Sequence, residues 1–159
     1  FLDIDIPPLA YVSAMYLKKV FGEEAIAGYG ETRDMDVIDI DEMRKHYRAA
    51  VICPWQLPKV KGSFELFVNA SSFQEMEPEV LENYSFYINK LVAGYLLLKN
   101  SRVGKQPVES EEELGVKKNI FREDYFRYFR EYSLVATDAR VFGLVYRNFI
   151  SDVMILEKK

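Results

Sequence analysis

Residues 64–76, Phe-Glu-Leu-Phe-Val-Asn-Ala-Ser-Ser-Phe-Gln-Glu-Met, constrain the fold more than any other stretch of the chain. The run 64–68 has the apolar content of a buried strand. It stops at Asn69, Ala70, Ser71 and Ser72, which are small or polar, and Phe73, Gln74 and Glu75 follow. Pro78 then stands where a helix can begin, with Glu77 and Glu79 in the first turn, where the helix dipole favours negative charge. A strand that ends in small polar groups and runs into a helix is where open α/β sheets place their ligands, outside the carboxyl ends of the strands.

The remainder of the chain reads as more of such a sheet. Residues 1–6 alternate apolar and acidic with the period of a strand. Pro7 and Pro8 introduce a helix over 9–21, with Val12, Tyr16 and Val20 on one face, Leu9, Met15 and Leu17 widening it, and Gly22 as its stop. Residues 25–29 form a second expected strand, 31–40 an acidic loop, 41–49 a helix capped by Asp41, and 51–53 a third strand ended by Pro54 and Trp55. A turn at 59–63 leads into the organising strand. The helix over 78–92 sets Leu81, Tyr84, Ile88 and Leu91 on one stripe. Residues 95–98 are continuously apolar, as in a strand covered on both faces. The tract 100–115 reads as a solvated loop carrying a Glu run at 109–113, and 123–131 as a short aromatic-rich helix. Two last strands fall at 133–139 and 149–156. The tract 140–148 between them is too short for a crossover helix, so the two are expected to pair antiparallel. The pattern predicts an α/β fold, mostly parallel with a C-terminal antiparallel strand pair, in a single domain over residues 1–159.

Composition narrows the function. A chain of 159 residues can bury one core, and 49% apolar content with 11 Tyr and 11 Phe is that of a folded chain. The formal charge of −4, with acids and bases interspersed, offers no basic footprint for nucleic acid. No apolar run approaches the ~20 residues of a membrane span. Cys53 stands alone and forms no internal disulfide, so a reducing, cytoplasmic setting is the expectation. His46, the one histidine, lies among Arg44, Lys45 and Arg48 and reads as a surface residue. No metal-ligand spacing, nucleophile elbow or P-loop is present, and no metal site is expected.

The chemistry-bearing residues cluster where strands end. Asp3 and Asp5 share one face of the first strand, and a carboxylate there accepts hydrogen bonds from ribose hydroxyls; a helix cap or a solvated acid fits the same positions. Trp55 offers a flat face to a purine and Gln56 a reach to a base edge, whereas a core or rim tryptophan is the plainer role. Asn69, Ser71 and Ser72 suit either a cofactor's amino-acid end or a turn that satisfies its own backbone. Glu75 is the acid inside that mouth; partial burial would raise its pKa and fit it to act as a general base on a hydroxyl.

The order of these segments resembles the class I S-adenosylmethionine (SAM)-dependent methyltransferases, and more narrowly the bacterial sugar O-methyltransferases. Three segments carry the likeness: Asp3-Ile-Asp-Ile-Pro-Pro-Leu with the helix bearing Tyr11, Tyr16 and Leu17; Pro54-Trp-Gln-Leu-Pro leading into Phe64-Glu-Leu-Phe-Val-Asn; and, most specific, Ser72-Phe-Gln-Glu-Met. With the closing strand pair, it spans most of the chain. The resemblance implies a Rossmann-like, seven-stranded sheet whose last strand inserts antiparallel, with SAM as cofactor. It implies Asp5, with Asp3 as fallback, on the ribose; Trp55, Gln56 and Leu57 flanking the adenine; and Asn69 and Ser71 beside the methionine end. Ser72, Phe73 and Gln74 would meet the acceptor, a sugar or nucleotide sugar, and Glu75 would act as the base. Either 25–29 or 51–53 fits the family's third strand. The family's first strand and glycine-rich loop have no counterpart here, so the chain is expected to be the C-terminal portion of an N-terminally truncated catalytic domain. Its exposed strand edges would invite homo-oligomers. A nucleotide-sugar oxidoreductase of Rossmann type and a non-catalytic interaction domain are the competing readings.

Overall fold

A computed structural model describes residues 1–110, 112–138 and 151–159. The chain divides into two compact units, Phe1–Ser63 and Phe64–Lys159.

In the first unit, β1 (Leu2–Ile4), α1 (Pro7–Phe21), β2 (Ile26–Ala27), α2 (Tyr29–Thr32), β3 (Ile38–Asp39), α3 (Ile40–His46), β4 (Ala49–Ile52) and β5 (Val60–Lys61) follow in order. Strands β1, β4 and β2 form a parallel sheet in that order, and β3 and β5 form a separate parallel pair. The strand beside β1 is therefore β4, which begins at Ala49, two residues earlier than expected. Asp39, not Asp41, caps α3, its Oδ1 accepting from the Asp41 and Glu42 amides at 2.9 and 3.1 Å. The acidic tract 31–40 is not all loop: it supplies part of α2 and all of β3.

Helix α1 meets its sheet through Ala10, Ala14 and Leu17, which pack on Ile26, Ala49, Val51 and Cys53. Small alanines let the helix approach the strands closely, and Gly22 closes it in a left-handed conformation (φ 99°). The larger stripe of Leu9, Val12, Tyr16 and Val20, expected to be the packed one, is exposed on the opposite side. Burial also pushes the Cys53 thiol above its usual pKa, which keeps it protonated.

The second unit contains β6 (Phe64–Ala70), α4 (Pro78–Leu91), β7 (Val92–Ser101), α5 (Arg122–Tyr128), β8 (Tyr132–Asp138) and β9 (Ser151–Lys158), in a sheet of order β6-β7-β9-β8. β6 and β7 run parallel, and β9 lies between β7 and β8, antiparallel to both. The expected antiparallel pairing of the last two strands is thus present. The connection expected at 140–148, the ends of those strands at 139 and 149–150, and Glu111 of the Glu run lie outside the described residues. Leu81, Ile88 and Leu91 of α4 are buried on the expected stripe, with Tyr84 partly so. β7 is longer than the run 95–98 and is not covered evenly: Leu96 and Leu98 are fully buried, while Tyr95 is 42% exposed. Opposite Glu65 the ladder between β6 and β7 slips by one residue, and Gly94 lies so close that an added Cβ would come 2.4 Å from the Glu65 carbonyl oxygen. Among the described residues, no helix is long and apolar enough to cross a membrane.

Candidate functional site

In the unit Phe1–Ser63, the parallel ladder brings Ile4 opposite Ile52, and the Asp5 amide donates to the Ile52 carbonyl at 3.2 Å. Asp5 and the turn Pro54–Lys59 therefore leave neighbouring strands at their carboxyl ends, the position open α/β sheets use for ligands. Asp5 is half-buried; its Oδ1 accepts from the Ile6 amide at 2.8 Å, and it has no other side-chain partner among the described residues. Asp3 accepts from the Ser13 hydroxyl and is tied to α1. Trp55 remains 54% exposed and meets Tyr29 edge-to-face, ring centroids 6.0 Å apart.

Gln56 and Leu57 turn the other way, at 1% and 3% exposed. Gln56 Oε1 accepts from the Cys53 amide at 2.9 Å, and its Nε2 donates to Thr32 Oγ1 at 3.0 Å, while that hydroxyl donates to the Gly28 carbonyl at 3.1 Å. Gln56 is spent on joining two loops and does not reach out to a base edge. Replacing it with alanine leaves the buried Cys53 amide unpaired and is expected to cost about 2 kcal/mol, read as a lowered urea midpoint with an unchanged slope.

In the unit Phe64–Lys159, β6 carries Asn69 next to its carboxyl end. Asn69 is buried; its Nδ2 donates to the Ser72 hydroxyl, and its Oδ1 accepts from the Phe73 amide (3.3 Å) and from Asn100 Nδ2 (3.1 Å). Ser71 and Ser72 are exposed, and Ser71 adopts φ 69° to turn the chain. Two of the three residues expected to meet an acceptor turn inward instead. Phe73 is 1% exposed and stacks with Phe67, Tyr125 and Phe129 at centroid distances of 5.7, 6.2 and 6.3 Å. Gln74 is buried, with Oε1 accepting from the Ser101 amide. An apolar ring and an amide with a backbone partner both gain more by packing beneath the rim than by facing water. Glu75 is not in a buried mouth: its side chain is 46% exposed and pairs with Lys105.

The rim of this unit holds polar groups that the motif did not flag. Asn100 and Ser101 are buried, and Asn100 Oδ1 and Ser101 Oγ have no hydrogen-bond partner among the described residues. Asn100 lies opposite Asp152 across the β7–β9 ladder. Asp152 is 2% exposed and takes the Arg122 guanidinium at 2.6 Å. These residues are far apart in sequence, and only the insertion of β9 beside β7 reveals them as neighbours.

No protein-family model matches the chain, and no curated protein matches it in sequence. Among solved structures, TehB from Haemophilus influenzae is similar to it, with a TM-score of 0.52 at 10% identity over 99% of this chain and 57% of that one. Magnesium protoporphyrin IX methyltransferase (ChlM) from Synechocystis PCC 6803, solved with bound SAH, is similar with a TM-score of 0.53 at 10% identity, over 99% of this chain and 73% of that one. The chain thus spans a little over half the length of TehB. At such identity the likeness is one of fold, and the chain has the Rossmann-like fold of SAM-dependent methyltransferases.

Proposed function

We propose that the protein is a SAM-dependent O-methyltransferase whose acceptor is a hydroxyl of a sugar or nucleotide sugar. The observation that carries this reading is the antiparallel strand β9 inserted between β7 and β8. It is the feature that the resemblance to class I methyltransferases implies, and it accompanies a fold like that of ChlM, which was solved with SAH. The donor fits the residues on their own terms. Asp5 has carboxylate capacity left for ribose hydroxyls, and Trp55 keeps more than half its surface open for an adenine. In the unit Phe64–Lys159, the resemblance assigns Asn69 and Ser71 to the amino-acid end, and Asn100 Oδ1, with no hydrogen-bond partner among the described residues, is a buried acceptor next to Asn69.

When bound, SAM supplies a sulfonium methyl group open to in-line displacement by an oxygen nucleophile. The chain's own task is to hold the acceptor hydroxyl in line, since positioning alone can supply much of the barrier reduction. Ser72 is the exposed donor and acceptor at that rim. Glu75, whose Oε2 takes Lys105, would use its other carboxylate oxygen to accept the proton of the acceptor hydroxyl.

The test is ligand-dependent stability of the protein. SAM and SAH are expected to stabilise the fold by about 2.7 kcal/mol at a hundred times Kd, read as a raised unfolding midpoint, and NAD is not. Stabilisation by NAD instead would move the assignment to an oxidoreductase, and no response to any of the three would leave an interaction domain. A Glu75→Gln variant is expected to lose about a hundredfold in kcat with KM for SAM unchanged; full turnover would remove Glu75 from the reaction.

A further inference from the structure

Asp152 is the focus of a charge imbalance. Its Oδ2 lies 2.6 Å from Arg122 Nε and 3.6 Å from Arg102 Nε, and its Oδ1 accepts from the Thr137 hydroxyl at 2.9 Å. Arg122 also donates through Nη2 to Thr137 Oγ1 at 3.3 Å. Two guanidinium groups thus converge on a single carboxylate oxygen, which leaves one positive charge uncompensated. The Asp152 side chain is 3% exposed and that of Arg122 20%, so neither is well served by water, whereas Arg102 is 42% exposed. Among the described residues Arg102 has no side-chain partner other than Asp152, and its side chain keeps 42% of its surface exposed. A guanidinium presents its donors as a planar fork that matches an oxyanion bidentately.

The place of this cluster is as telling as its charge. Asp152 faces Asn100 across the strand ladder, and Asn100 donates to Asn69 at 3.1 Å. Neighbouring strands lie about 4.8 Å apart, so the arginine pair sits within a few strand spacings of the Asn69 rim assigned above to the donor's amino-acid end. Asn100 lies between them, and its Oδ1 is buried with no hydrogen-bond partner among the described residues.

We propose that Arg102 and Arg122, held by Asp152, form an oxyanion site that receives an acidic group of the methyl acceptor, a carboxylate or a phosphate. As a statement about the acceptor this rests on the methyltransferase reading; as a statement about anion binding it does not. Asp152 acts as a positioning residue that fixes both guanidinium planes, and Arg102 makes the contact. An acceptor hydroxyl tethered through an anion at this site would be presented to the Asn69 rim, whereas a neutral sugar would lack the tether.

The probes are inorganic phosphate and glucuronate, with chloride at the same ionic strength as the blank, added to the full chain while thermal unfolding is followed. Phosphate stabilises many proteins by exclusion from their surface, so the readout is the difference between wild type and Arg102→Gln. At least one probe is expected to bind wild type about tenfold more tightly than the variant, the loss of one charge-assisted contact. A response to phosphate alone marks a phosphorylated acceptor, and a response to glucuronate marks a sugar acid. Arg102→Lys, which keeps the charge but not the fork, is expected to fall in between. Equal responses in wild type and Arg102→Gln, or no response to either probe, would overturn the site. A calorimetric titration of wild type with SAH, run in parallel, reports on donor binding separately, so loss of the donor assignment and loss of the anion site are distinguishable.

Discussion

Replacing Phe73 with alanine is expected to destabilise the protein by about 4 kcal/mol, the cost of emptying a large aromatic site in a packed core. The ring is 1% exposed and stacks against three others, Phe67, Tyr125 and Phe129. These neighbours are held by a strand and by α5 and cannot all collapse into the space left. Aromatic pairs add about 0.5–1.5 kcal/mol each beyond burial, which places the estimate in the upper half of the range. The thermal midpoint should fall by roughly 10 °C for a chain of this size. This outcome also discriminates between two roles for the residue. If Phe73 instead faced an acceptor, alanine would leave stability within about 0.5 kcal/mol and change only binding. A Phe73→Leu variant, which keeps most of the volume, should recover more than half of the loss.

Asp152→Asn is expected to cost about 3 kcal/mol. The amide keeps the shape of the carboxylate but removes its charge, leaving the Arg122 and Arg102 guanidiniums facing each other. Breaking a buried ion pair by removing one partner costs about 3–5 kcal/mol, and the exposure of Arg102 argues for the lower end. Repulsion between the arginines makes a second, sharper expectation. Adding Arg102→Gln to Asp152→Asn should restore part of the lost stability, because it removes one of the two uncompensated charges. In a double-mutant cycle the two changes should couple by about 1 kcal/mol or more. Simple additivity would show that Arg102 is already neutralised by solvent and takes no part in the cluster.

What could be read from the sequence was what is local. The apolar stripe of Leu81, Ile88 and Leu91 repeats with the helical period, so α4 and its buried face were legible, as was β6 itself, although the strand runs through Asn69 to Ala70 instead of stopping at Val68. The antiparallel pairing of β8 and β9 followed from the length of the tract between them. Three things were not legible. In α1 the eye goes to Leu9, Val12, Tyr16 and Val20, yet Ala10 and Ala14 face the sheet, because close approach rewards small residues as much as large ones. Residues Phe73, Gln74 and Gln56 looked like site residues because they stand next to rim residues in sequence. Both segments are short helical turns, and each turns two neighbouring residues inward together, Gln56 with Leu57 and Phe73 with Gln74. The Arg102–Asp152–Arg122 cluster depends on which strand lies beside β7, and no local signal in the chain carries that information.

Gly94 ties the far end of β7 to this chemistry. With an added Cβ only 2.4 Å from the Glu65 carbonyl oxygen, a Gly94→Ala chain has to move backbone on β6 or β7, and a slip of register is the relief with the largest consequence. A shift of a single residue exchanges the two faces of a strand. Asn100, about 20 Å away at the other end, would then swing its amide off Asn69 and away from Asp152. A glycine with no functional group would in that way govern whether Asn100 meets Asn69 and Asp152 at all.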